Sequence, residues 1–123
     1  MEMKKLLESF NHAINGIIDA VRTQRNMKIH IVAAIGVLIA CFFFDISKAE
    51  FLSLAITITM VISAELVNTA VEAAVDLNTN YYHPLAKVAK NTAAGAVLVT
   101  AINALLIGYI VFWDKLSNFS YEV

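Results

Sequence analysis

Apolar residues gather into three long blocks, about Ile29 to Phe44, Phe51 to Val75 and Thr92 to Trp113. The third runs 22 residues without a charge, enough for a helix rising 1.5 Å per residue to cross roughly 30 Å of hydrocarbon. The first is shorter, so its helix is expected to begin earlier, with Arg25 and Lys28 snorkelling to the interface. In the second, only the 14 residues FLSLAITITMVISA are free of charge, about 21 Å of helix. That helix has to use the acidic continuation ELVNTAVEAAVD to complete its crossing, which places Glu65 near or below the headgroup level. Residues 4–22 follow another pattern. On a wheel of 100° per residue, Leu6, Leu7, Phe10, Ile14, Ile17, Ile18 and Val21 share one side, and Lys4, Lys5, Glu8, His12, Asn15, Asp19 and Arg22 share the other. The pattern predicts a helix lying in the interface rather than crossing it. A soluble-core helix is the competing reading, with little soluble core for it to join.

The prediction is therefore an all-α integral membrane protein of one domain, 1–123. It has an interfacial helix at 4–22 and membrane helices at about 27–47, 51–76 and 85–113. Composition agrees: 59% of the 123 residues are hydrophobic, 15% are charged, and the mean hydropathy is +0.70. A soluble domain of this size could not bury so much apolar surface in one core. A net charge of −1 gives no electrostatic footprint for nucleic acid. Cys41 is the one cysteine and sits in an apolar run, so neither a disulfide within the chain nor a cysteine metal site is expected. The N-terminal MEMKKLLESF has no apolar h-region, so no cleavable signal is expected. Seven of the nine Lys and Arg residues lie before the first span or between the second and third, while Lys48 and Lys115 lie on the opposite side. The positive-inside rule then predicts that the N-terminus and the 77–91 loop are cytoplasmic.

The candidate chemistry sits where the second span ends. Measured from Glu65, Asn68 lies at roughly 300°, Glu72 at 340° and Asp76 at 20°, a single stripe about 80° wide. One reading is a polar helix end that meets water. Against it, acids at a helix C-terminus oppose the macrodipole, and a merely solvated end would scatter its charges around the wheel. A stripe of acids with one amide suits oxygen ligands for Mg²⁺ and a general base in a partly dry site. Across the loop, Lys87, Lys90 and Asn91 begin the third span, either as interfacial anchors or, with helix N-terminal amides, as a phosphate cradle. His12 and His83 fall on the same side, as ordinary surface histidines or nucleotide contacts. His30 begins the first span and reads as a snorkelling or interhelical polar contact. Tyr81, Tyr82 and Trp113 fit interfacial aromatic belts.

The stretch Glu65 to Asp76, ELVNTAVEAAVD, resembles the signature E-x-[apolar]-N-[ST]-A-[apolar]-E-x-x-V-D of the small bacterial membrane diacylglycerol kinase family. RTQRNMKIH, YYHPLAKVAKN and AAGAVLV follow that family's order and spacing, so the resemblance covers nearly the whole chain. RNMKIH and AAGAVLV are similar to the Gram-positive branch, whose members act as undecaprenol kinases. The resemblance implies a homotrimer of three-span subunits in the cell membrane that phosphorylates a lipid hydroxyl with MgATP. It makes Glu65 the catalytic base and Glu72 a ligand of Mg²⁺ and ATP, with Asn68 and Asp76 supporting the site and Lys90 on the phosphates. Lys5, His12, Tyr81, Tyr82 and His83 fall where the family contacts nucleotide. Two positions depart. Gln24 stands where the family usually has Glu as the second metal ligand, and Asn91 where it has Asp beside the lysine. Each change removes a negative charge, and an amide oxygen ligates Mg²⁺ more weakly. A lipid kinase acting on undecaprenol, or otherwise on diacylglycerol, is the leading expectation. A catalytically impaired or inactive nucleotide- or lipid-binding member, because of Gln24 and Asn91, is the alternative. A small ion transporter using the stripe is disfavoured, because no second acidic helix faces it.

Overall fold

The computed structural model describes residues 1–122, and helix accounts for nearly all of them. In chain order the helices are α1 (Glu2–Thr23), α2 (Arg25–Phe43), α3 (Lys48–Asn78) and α4 (Pro84–Glu122). Helices α2, α3 and α4 are each long and apolar enough to cross a membrane. The amphipathic α1 precedes them, with Leu7, Phe10 and Ile14 exposed along one face.

The ends of the helices differ from the sequence reading in ways their local chemistry explains. A single residue separates α1 from α2: Gln24 is extended, at φ −100° and ψ 115°, and its N–H donates to the Ala20 carbonyl. The first span thus begins at Arg25, and Lys28 lies in its first turn. It also stops at Phe43 rather than near residue 47, because Ser47 begins the next helix. The Ser47 hydroxyl accepts from the Glu50 N–H at 3.1 Å, and the Glu50 carboxylate accepts from the Ser47 N–H at 3.1 Å. This capping box satisfies two otherwise orphaned amides and starts α3 at Lys48 instead of Phe51. Ser47→Ala is expected to lower stability by about 1 kcal/mol, which a thermal unfolding curve in detergent would register.

The larger difference is in α4. The apolar block ends at Trp113, yet the helix continues to Glu122. No glycine or proline follows Gly108, and Ser117 and Ser120 donate to the carbonyls of Trp113 and Leu116, four residues back. With 39 residues, α4 is about 58 Å long and extends well beyond a hydrocarbon layer of roughly 30 Å.

Helix α3 is the centre of the bundle. Each of the other helices packs against it, whereas α2 and α4 do not pack on one another. A groove floored by α3 therefore lies between them. At one end the groove is closed off: Lys115 of α4 donates to the Asp45 carbonyl at 2.6 Å and pairs with Glu50 at 3.2 Å. There too the ring of Phe44 meets Phe112 edge to face, centroids 6.0 Å apart. The buried apolar core is small, comprising Ala20, Met27, Leu54, Val61, Val97 and Val111. Most large apolar side chains on α2 and α4 point outward, as expected where lipid is the solvent.

Candidate active site

The acidic stripe occupies one face of α3 and passes from the interior to the surface. Glu65 is 1% exposed and Asn68 5%, Glu72 is half-buried, and the Asp76 side chain is 64% exposed. Asn68 Nδ2 donates to Glu72 Oε1 at 3.4 Å, joining the middle two members one helical turn apart. Thr69 donates to the Glu65 carbonyl, so the hydroxyl contact next to Glu65 engages backbone and leaves the carboxylate free.

Two buried oxygens in this stripe, Glu65 Oε2 and Asn68 Oδ1, have no hydrogen-bond partner among the described residues. Buried polar atoms are nearly always paired, so two orphans one turn apart on the same helix single this stretch out as a candidate site. Both residues border a cavity of about 300 Å³ in the groove between α2 and α4. Asn26 and His30 of α2 complete its polar side, and Ala94 and Val97 of α4 form the apolar wall opposite. Beyond it, His30 and Ala101 also border a second cavity of about 260 Å³, lined by Ala33, Val37, Val61 and Leu105. The polar cavity thus adjoins an apolar trough, with His30 and Ala101 lining both, an arrangement that suits an amphiphile with a polar head and a hydrocarbon tail.

A larger cleft of about 710 Å³ lies where α3 gives way to α4. Asp76, Tyr81, Tyr82, His83, Lys90 and Asn91 line it. Lys90 forms an ion pair with Asp76 across the loop. His83 has a local task as well: its Nδ1 accepts the Leu85 N–H at 3.1 Å, capping the first turn of α4 just before Pro84. Only its Nε2 is left to meet a ligand.

The expected site residues fall into two groups within one chain. Glu65, Asn68 and Glu72 form one, and Asp76, Tyr81, Tyr82, His83, Lys90 and Asn91 form the other. Lys5 and His12 lie exposed on α1, and Gln24 sits at the α1–α2 break with its amide donating to Thr23 Oγ1 at 3.4 Å. These three border neither cavity. No cluster of three His, Cys, Asp or Glu side chains occurs among the described residues. The donor set still fits Mg²⁺ arriving on a polyphosphate, which needs only one or two carboxylates from the protein. Glu72 supplies one, with Oε1 held by Asn68.

One residue the sequence reading left out of the site is His30. Its Nε2 stands 3.6 Å from Glu65 Oε2. The available signal was its type and place, an ionisable side chain inside a span and four residues from Asn26 on one face of α2.

The sequence profile of prokaryotic diacylglycerol kinases matches residues 11–112. The chain is 44% identical to the undecaprenol kinase of Bacillus subtilis (strain 168) over 115 residues, 94% of each chain. It is 43% identical to a diacylglycerol kinase of Synechocystis over 104 residues, 84% of this chain and 59% of that one. The diacylglycerol kinase of Escherichia coli (strain K12) is 32% identical over 80 residues, 65% of each. The near end-to-end match to the Bacillus enzyme agrees with the Gram-positive features of RNMKIH and AAGAVLV. The chain belongs to the prokaryotic diacylglycerol kinase family and is a membrane lipid kinase.

Proposed function

We propose that the chain transfers the γ-phosphate of MgATP to the terminal hydroxyl of undecaprenol, with diacylglycerol as the second acceptor. The observation that carries this reading is the buried Glu65 Oε2 without a hydrogen-bond partner, on a polar cavity that adjoins an apolar trough. A hydroxyl entering from the trough would donate to that oxygen, placing the acceptor against its base. Asn68, on the same cavity, offers Oδ1 as a second acceptor. The shared end-to-end match with an undecaprenol kinase favours the polyprenol over the glycerolipid.

Nucleotide would occupy the larger cleft, with Lys90 on the phosphates, Tyr81, Tyr82 and His83 near the base and ribose, and Asp76 and Asn91 setting the position of Lys90. Glu65 and Asp76 are 11 positions apart on α3, about 16 Å, and Glu72 lies between them, where a triphosphate would bridge the two groups. Glu72 and Gln24 would hold Mg²⁺, which when bound neutralises charge on the phosphate oxygens. Lys5 and His12 would close over the nucleotide from α1. We place the N-terminus and the site in the cytoplasm, from the seven Lys and Arg residues at that end. We place the chain in a homotrimer, because the apolar faces of α2 and α4 and the Glu72–Asp76 end of the α3 stripe are left uncovered within one chain.

The test is transfer of labelled phosphate from ATP, with Mg²⁺, to undecaprenol or to diacylglycerol in mixed micelles. Preferential labelling of undecaprenol is expected; labelling of neither lipid sinks the reading. In the same assay, the double substitution Gln24→Glu/Asn91→Asp is expected to lower severalfold the Mg²⁺ needed for half-maximal rate, by restoring two negative charges. An unchanged Mg²⁺ dependence would remove Gln24 from the metal site.

A further inference from the structure

We propose that His30 is the proton-exit partner of Glu65, a positioning residue that returns the base to its working state after each transfer. The proposal rests on the reading of Glu65 as the base. The reaction leaves that acid with a difficulty. The acceptor O–H bond breaks, and its proton goes to a Glu65 oxygen. The hydroxyl oxygen's electron pair forms the bond to Pγ as the bond from Pγ to the β,γ-bridging oxygen breaks, and ADP leaves with that pair. Glu65 is then a neutral carboxylic acid, 1% exposed. It has to lose the proton before it can activate another hydroxyl.

The surroundings offer one route. From α4, Ala94, Val97 and Leu98 face the cavity and carry no titratable group. From α3 the neighbour is the Asn68 amide, and from α2 it is Asn26, neither of which takes up a proton near neutral pH. Among the described residues, His30 is the only other ionisable side chain lining the cavity. Its Nε2 is 3.6 Å from the orphaned Oε2, and its side chain is 19% exposed. The imidazole therefore connects a buried acid with a more accessible edge of the groove. At 3.6 Å the two atoms are beyond hydrogen-bond length. Such contacts commonly tighten when the reacting complex forms. Nε2 then accepts the proton from Glu65 while Nδ1 gives one to water, a transfer the two nitrogens of imidazole permit and an amide does not. The balance is lipid alcohol and ATP to lipid phosphate, ADP and one proton in solvent.

The experiment compares wild type, His30→Gln, His30→Ala and Glu65→Gln in undecaprenol mixed micelles at saturating ATP. His30→Gln is expected to lower kcat about tenfold to a hundredfold, with the KM for ATP within about twofold. Added imidazole is expected to restore His30→Ala, and a series of substituted imidazoles to restore it in the order of their basicity, which a packing defect would not produce. Thermal unfolding identifies any variant that fails to fold, and His30→Gln, close in size and polarity, carries the test if His30→Ala does. A His30→Gln enzyme as fast as wild type, beside an inactive Glu65→Gln, overturns the proton exit and leaves Glu65 as base. A slow, folded His30→Ala that no imidazole restores also overturns it. Activity surviving in Glu65→Gln, or no lipid labelled by wild type, overturns both readings together.

Discussion

Glu65→Gln is expected to lower kcat for lipid phosphorylation by about a hundredfold to ten-thousandfold, while ATP binding and the fold survive. The amide keeps the shape of the side chain but has no basic oxygen to take a proton from an alcohol. The structural neighbours support a clean result. Thr69 bonds the Glu65 carbonyl, which the substitution leaves in place. The side-chain oxygen Oε2 has no hydrogen bond to lose. An acid held 1% exposed without a hydrogen-bond partner on that oxygen is costly to keep, so thermal stability should hold or rise as activity disappears. Steady-state kinetics beside a melting curve in detergent would check both halves. Activity within tenfold of wild type would remove Glu65 from the chemistry.

Lys90→Met should raise the KM for ATP about tenfold to a hundredfold, the range set by losing a charge-assisted contact of roughly 1.5–3 kcal/mol. Lys90 lines the larger cleft beside Asn91, and its ammonium pairs with Asp76. The Asp76 side chain is 64% exposed, so it stays solvated after the partner is removed and the fold loses little. Lys90→Arg keeps the charge and should retain most of the affinity. Titration of rate against ATP at fixed lipid would decide, and an unchanged KM for ATP in Lys90→Met would place the phosphates elsewhere.

The α3 stripe was legible from sequence because one helix carries all of it. Four residues at helical spacing show their common face without any tertiary information, and their burial follows their order along α3. The three spans were legible for a similar reason, since apolar length is a local property. Contacts between helices were not. The approach of His30 to Glu65 joins α2 to α3 across 35 positions, and nothing in the residues around either announces the other. Helix ends depended on local side-chain hydrogen bonds: the two bonds of the Ser47–Glu50 box start α3 ahead of its apolar run, and the Ser117 and Ser120 hydroxyls accompany α4 beyond its apolar block. His83 looked like a nucleotide contact, and one of its nitrogens is already committed to the Leu85 amide.

Because α2 and α4 pack on α3 but not on each other, the apolar trough beside the Glu65 cavity lies in a groove between two spans. On the proposed reading of Glu65, a lipid alcohol following that groove would not have to leave the bilayer, so the cost of drawing a long hydrocarbon tail into water would not enter the barrier. Encounter becomes a two-dimensional search in the membrane plane. The substrate variable that sets the rate is then the mole fraction of acceptor among surrounding lipids, and diluting it with inert lipid should slow the enzyme even when the amount per millilitre is unchanged.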